Sequence, residues 1–539
     1  MGILDFKFFS KKQPSLEKKK LDPIADMLMG ASGQYRSLFA ISYNGEKNMG
    51  EIGPIKNYIL DYYGLSLRSW ESILTNEISS TVIEKFVLWV IGSKLKLQAI
   101  PNKIVLKSEG IELDSEAFST LVEAQFEVWC NSTVGDYSGM DNIHAKSEQA
   151  FINSIAGGDV VTILRLDEAF NMTIQLIDGS HVQSPTLGND IFPLVLPNGN
   201  RIVNGIELDN KNQHVAYHIR KWGPLTFNFE TERIEARSAN GMQMAFLTKG
   251  KEYRLDNFRG VPSLTTILET LAKLDRYKEA AVGSAEEAAK IAYQVVHQAF
   301  STGENPLDSQ LAKAFNYDAV NTDIPRDQQG KILANTVAVS TNKQAFNNPV
   351  GSKIETLKNE APLTFKDFYN VNRDSACAAI LAPPEVMMSK YEASFSASRA
   401  ALKDWEHTLN VKRTKFTRTW YQHVYNFWLE VQILKNKIQA PGYLLARMEN
   451  NYMVVDSYRM CRFVGPQVPH IDPLKEVMAE RAKLGVTGAA IPLTTVERAT
   501  ERLDGGESIS NMEQYADELN RSKDLGLEIE LPGESDIKE

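Results

Sequence analysis

Eight histidines, three cysteines and a few neighbouring carboxylates are the groups in this 539-residue chain best suited to covalent or acid–base chemistry. Their spacing argues against both. His181 and His218 stand singly in strand-like segments and read as structural or surface histidines. Glu286-Glu287 and Glu528/Glu530 read as solvated faces rather than as an acid and its base. Cys130, Cys377 and Cys461 are far apart and form no CxxC pair, which suits a reducing compartment and disfavours a zinc site or disulfide framework. No GxxxxGK[ST] is present to cradle a triphosphate, and no GxGxxG, HExxH or GxSxG is present either. The expectation is therefore a non-enzyme with no catalytic residue, metal or cofactor.

Composition sets further bounds. Apolar residues make up 43% and charged residues 24%, so large buried cores are feasible. The net charge of −9 makes a single copy a poor non-specific DNA binder, because phosphate is repelled. The imbalance is uneven. Residues 1–20 carry six Lys against Asp5 and Glu17, a net of +4, whereas residues 501–539 carry twelve acidic against four basic side chains, a net of −8. Both ends read as solvated termini. The longest apolar run, near "VLWVIG", is too short to span a membrane, and no signal peptide is evident. The chain reads as cytosolic when made, with no membrane partner.

The elements follow from periodicity. Residues 52–100 are largely helical, with Trp70, Ile73, Leu74, Ile78, Val82, Phe86 and Trp89 at helical spacing. Gly92 then stops the pattern and "KLKLQAIP" alternates as a strand. Residues 115–155 are helical again, up to Gly157-Gly158. A β-rich block over 159–260 predicts a half-exposed antiparallel sheet with a hairpin around Asn210–Asn212. From Ser263 to Phe300 almost nothing breaks a helix that would span about 57 Å. Leu264, Ile267, Leu268, Leu271 and Leu274 form its stripe, and Ala280, Ala281, Ala285, Ala288, Ala289 and Ala292 permit close lateral packing. Short strands ("KILANTVAVS", "SKIETLK") and a helix ending at Pro383-Pro384 follow.

After "PPEVMMSKYEASFSASRAA" a second long helix covers 398–436. Trp405, Trp420 and Trp428 lie there beside Lys412, Arg413, Lys415 and Arg418. Two readings stand for it: a surface on which nucleic acid stacks, or an amphipathic helix with aromatic core residues and a solvated basic face. Met387 and Met388 read as gap fillers. Asp472-Pro473 opens the first of three late helices.

Taken in order, six stretches resemble the portal proteins of lambda-type tailed bacteriophages: "VIGSKLKLQAIP", "DNIHAKSEQAFINSIAGGDVVTIL" with "LIDGSHVQSP", "NGIELDNKNQHVAYHI", "FRGVPSLTTILETLAKLDRYKEAA", "APPEVMMSKYEASFSASRAAL" and "PHIDPLKEVMAERAKLGVTG". The chain departs from the family in "DNFRGVP", where a Gln-x-Arg-Gly-Val-Pro is usual, and in Pro383-Pro384, where Val-Pro is typical. The stretch 301–362 matches weakly.

The resemblance implies an α+β, mainly helical portal fold, with wing, stem, clip and crown, assembled as a ring of typically twelve copies. Its parts would be an arm at 1–29, a wing at 30–260, stem helices at 261–300 and 363–382, and a clip at 301–362. A tunnel loop at 383–397, a long helix returning to the wing at 398–465, a crown at 466–525 and an acidic tail at 526–539 would complete it. The implied residues facing DNA are Ser389, Lys390, Ser394, Phe395, Ser396, Ser398 and Arg399. The stem would pack through Leu264, Leu268, Leu271, Ala281, Ala285, Ala288 and Ala292. Implied partners are further copies of the chain, the large terminase subunit, a major capsid or scaffold protein, a head–tail adaptor and the double-stranded DNA passing through. The implied location is the capsid vertex of the virion, assembled in the host cytoplasm. The competing readings are a helical scaffold or tail adaptor that does not surround DNA, and a phage-borne hydrolase.

Overall fold

A computed structural model describes residues 62–185, 194–222, 229–253, 257–295, 335–340, 343–347, 365–390, 395–467, 473–485, 492–504, 506 and 508–524. The implied arm and acidic tail lie outside these residues, as does most of 301–362. The chain divides into two units, one containing residues up to Leu268 and from Cys377 onward, the other Glu269–Ala376.

The first unit opens with α1 (Tyr62–Thr75) and α2 (Glu77–Val90). Asn76 separates them, its side chain accepting from the amides of Ile78 and Ser79 at 3.0 and 3.1 Å. Ile78, Val82, Phe86 and Val90 of α2 are buried, as their spacing requires. Leu74 is exposed instead, because α1 ends beside it. Next come β1 (Lys96–Ala99), α3 (Lys103–Ser108), α4 (Ser115–Asn131) and α5 (Ile143–Ala156). Asn102, Asp114 and Asn142 cap the three helices.

The β-rich block comprises β2 (Asp159–Leu166), β3 (Met172–Asp178), β4 (Leu194–Val195), β5 (Arg201–Val203), β6 (Ile206–Leu208), β7 (His214–Trp222), β8 (Phe229–Glu235) and β9 (Ala245–Lys249). Two antiparallel sheets result, ordered β3-β2-β9 and β4-β5-β6-β7-β8. Val161, Ile163, Ile206, Leu208, Tyr217, Ile219 and Ala245 share one core, so the sheets meet through their apolar faces. The hairpin between β6 and β7 turns as the sequence indicates, with Asn212 at φ 62° and the Asp209 carboxylate accepting from the amides of Lys211 and Gln213 at 2.8 Å. The half-exposed sheet expected from alternation is corrected at β2, which is buried on both faces from Asp159 to Leu164. Thr162 belongs to the opposite face from Val161 and Ile163, and its hydroxyl accepts from the indole of Trp420 at 3.1 Å. Helices therefore cover the face that would otherwise meet solvent.

In the second unit, α6 (Leu268–Lys290) leads into β10 (Ile291–Val295), followed by β11 (Asn335–Ser340), β12 (Lys343–Asn347) and the bulk of α7 (Phe365–Ala379). The predicted helix to Phe300 stops ten residues early. "IAYQV" is rich in strand formers and pairs parallel with β12, so pairing overrides the alanine periodicity. Ala292 thus lies in a strand. Tyr277 and Phe368 join α6 to α7, with ring centroids 4.4 Å apart.

Back in the first unit run α8 (Pro384–Met388), α9 (Phe395–Phe416), a π-helical turn (Thr417–Tyr421), α10 (Gln422–Leu434), α11 (Tyr443–Met448) and α12 (Tyr452–Arg459). Then β13 (Cys461–Val464) pairs antiparallel with β1, before α13 (Pro473–Lys483), α14 (Val496–Asp504) and α15 (Ser508–Asp524). The second long helix and the three late helices match the sequence reading closely.

One interior group makes the fold sensitive to pH. His214 contacts the Tyr217 hydroxyl at 3.0 Å, and burial, helped by Lys249, pushes its imidazole down to about 4. A base with a depressed folded pKa stabilises the fold fully above its unfolded value of about 6.5, and that contribution is lost as pH falls towards 4. The urea midpoint should therefore drop between pH 7 and pH 4.5 by more in the parent chain than in His214→Gln. Equal drops would contradict this role.

Candidate functional site

The most constrained cluster in the first unit is built from five separated stretches. Arg259 is 3% exposed and grips Asp159 through two bonds, Nε to Oδ2 at 2.7 Å and Nη2 to Oδ1 at 2.8 Å. Its remaining donors reach the carbonyls of Val182 and Asn204, both at 2.9 Å, and of Gly179 at 2.6 Å. The Gly260 amide donates to Asp159 Oδ2 at 2.9 Å. Tyr63 of α1 lies 5.7 Å from the guanidinium and donates its hydroxyl to Val182 O at 2.9 Å. Burial opposes the Arg259 charge, but Asp159 outweighs it and raises the guanidinium pKa above its ordinary value. A planar fork is required here, since lysine offers neither the bidentate geometry nor enough donors. Glycine is required as well. A Cβ on Gly260 would lie 2.0 Å from the Gly158 carbonyl, and Gly158 itself has φ 106°.

This knot fixes the segment that leads to α6. Ser263 N bonds Ile155 O at 2.7 Å, and Val261, Leu264 and Ile267 are buried. Of the implied stem residues, Leu264 and Leu271 are buried, Leu268 and Ala281 are half-buried, and Ala285 is exposed. Ala288 lies in α6.

Within the implied tunnel-loop range 383–397, residues 384–388 and 395–397 are helical. α7 ends with Leu381 at φ 60°, whose amide bonds Ala378 O while Ala382 N bonds Cys377 O. Pro384 then begins α8, which Val386 and Met387 anchor in the interior. Met387 thus fills a core gap, as read. Ser389 ends α8 at φ 52°, accepts from Lys85 Nζ at 3.1 Å and is exposed, as is Lys390. Ser394 lies outside the described residues. Phe395 and Ser396 begin α9 rather than hanging in a loop, and Ser398 and Arg399 continue it. Arg399 reaches Glu476 of α13 at 3.6 Å. Leu381 is 65% exposed, so Leu381→Gly should relieve left-handed strain at little packing cost, raising unfolding stability by about 1 kcal/mol. A loss of stability in thermal melts would show that the side chain holds the turn.

The long helix settles the choice between its two readings. Trp405, Trp420 and Trp428 are at most 1% exposed. They pack on Phe86, Phe416 and Phe126 at 5.1, 5.8 and 5.0 Å, so no stacking surface for bases exists there. The basic residues are not all solvated either. Arg413 is buried and donates to the carbonyls of Trp89, Val90 and Pro466 at 2.7, 3.0 and 2.6 Å, closing the end of α2. Burial lowers its pKa to about 10. Lys412 sits 4.4 Å over the Phe86 ring, and burial lowers it to about 8. The π-helical turn lets consecutive Trp420 and Tyr421 both enter the core.

The phage portal protein family of lambda type matches residues 60–413, well over half of the chain. The chain belongs to that family. Family membership makes it a structural portal component rather than an enzyme. The chain is also similar to a solved structure described as the virion of a native gene transfer agent particle (11% identity, TM-score 0.38, covering 90% of this chain and 97% of that one). The neck of an empty gene transfer agent particle is similar too (12%, TM-score 0.40, 85% and 96%). So is the neck of a native particle computed with C12 symmetry (12%, TM-score 0.36, 89% and 98%). No curated protein matches.

The convergence of Asp159, Gly179, Val182 and Arg259 is not visible in the sequence, although the stretches "AGGDVV", "DGSHV" and "FRGVP" each carry part of it. The available signal is a lone arginine set between apolar neighbours and followed by glycine.

Proposed function

We propose that copies of this portal protein close side by side into a ring, typically of twelve, through which double-stranded DNA is packaged and later ejected. The family match over residues 60–413 carries this reading. The helices α6 and α7, joined by Tyr277 and Phe368, supply the kind of rigid pair from which a wall around a channel is built. The charge of −9 per chain suits a conduit: twelve copies sum to roughly −100, which repels phosphate and lets DNA pass without sticking. Residues 389–394 form the segment facing the bore. Ser389, Ala393 and Ser394 keep part of the stretch small enough to give way to a duplex, and Lys390 touches phosphate only weakly. The large terminase subunit drives DNA inwards, a head–tail adaptor docks after filling, and the ring nucleates growth of the capsid or scaffold protein at one virion vertex.

Negative-stain images of purified protein should show closed rings with an axial hole. Solitary particles or solid plugs would instead indicate a scaffold or adaptor. Replacing residues 390–394 by Gly-Ser should leave rings intact while lowering the yield of filled heads; a variant that fails to form rings would assign the segment to assembly.

A further inference from the structure

A cleft of about 480 Å3 runs along the first unit, bounded by α4, β1, Arg462 of β13 and the starts of α14 and α15. Its floor is apolar, with Leu95, Leu97, Ala99 and Phe126. Its walls are acidic for a reason legible in α4. Glu116, Glu123 and Glu127 recur at helical spacing on one face, while Phe118, Val122 and Cys130 turn inward. Glu497 and Glu513 close the far side, giving five carboxylates against Lys94, Lys96 and Arg462. Lys94 pairs with Glu127 at 2.6 Å, and Arg462 is drawn to Glu501 at 2.9 Å. His144 also lines the cleft and neither of its ring nitrogens has a hydrogen-bond partner. Ile100 and Ile509 of the lining are exposed, so the apolar floor reaches into the open.

We propose that this cleft receives residues 1–20 of the chain. That segment pairs an apolar block, Ile3, Leu4, Phe6, Phe8 and Phe9, with Lys11, Lys12, Lys18, Lys19 and Lys20, and its net charge is +4. The aromatic block meets the apolar floor and its open continuation, and the lysines meet the carboxylate walls. The same walls repel the acidic tail beyond α15, since residues 526–539 carry five carboxylates against Lys538, a net of −4, and they repel nucleic acid phosphate. Residues 21–61 would span up to roughly 135 Å when extended, so the tether does not prevent the contact.

The test uses full-length protein with p-benzoylphenylalanine in place of Phe6 or Phe8, irradiated, digested and mapped by mass spectrometry. Adducts are expected on residues 94–100, 116–130 or 509–513, whether formed within a chain or between copies. Glu116 and Glu513 are both exposed, so Glu116→Lys with Glu513→Lys leaves the core untouched. That pair of changes should lower the adduct yield about fivefold, the scale of one or two exposed ion pairs. Lys18→Glu, Lys19→Glu and Lys20→Glu added together should restore much of it. Adducts mapping elsewhere, or a yield indifferent to charge reversal, overturn the proposal. Ring formation is read separately, so failure here leaves the conduit reading untouched.

Discussion

The buried Arg259–Asp159 pair is the constraint on which the rest of the first unit depends. Asp159 starts the central strand β2, and Arg259 sits just before the segment that becomes α6. Three carbonyls from the β3 exit and the β5–β6 turn spend their lone pairs on the same guanidinium. A buried ion pair gives little net stability by itself, because desolvation offsets attraction. Its value is geometric. Only one arrangement of both sheets, α1 and the Arg-Gly-Val-Pro segment satisfies every donor, so the point from which α6 leaves is set by hydrogen bonds rather than by loop length.

The same logic recurs in the long helix. Arg413 spends its donors on the carbonyl end of α2, and Lys412 lies on the Phe86 ring. These cations are consumed by the architecture and are not offered to DNA. Left-handed residues at Leu381 and Ser389 bound the short α8, at φ 60° and φ 52°.

Much of this was legible in the sequence. The helical stripes of α2, α4 and α9–α10, the hairpin at Asn210–Asn212 and the late helices follow directly from periodicity, caps and turn residues. Three features were not. The end of α6 at Lys290 depends on strand pairing with residues some fifty positions away, which no local pattern encodes. The double burial of β2 depends on which helix covers its second face. The Arg259 knot joins positions 55 to 119 residues apart, and a lone arginine looks much the same in sequence whether solvated or interior. The loop range 383–397 came from the resemblance, and local pattern did not show that α8 and the start of α9 lie within it.

The most direct measurement is a double-mutant cycle on unfolding free energy with Arg259→Met, Asp159→Leu and both together. Each single change should cost about 3–5 kcal/mol by stranding a buried charge, and the double variant should cost far less than their sum. Small, additive losses would mean that the pair is incidental and that packing alone directs the chain into α6.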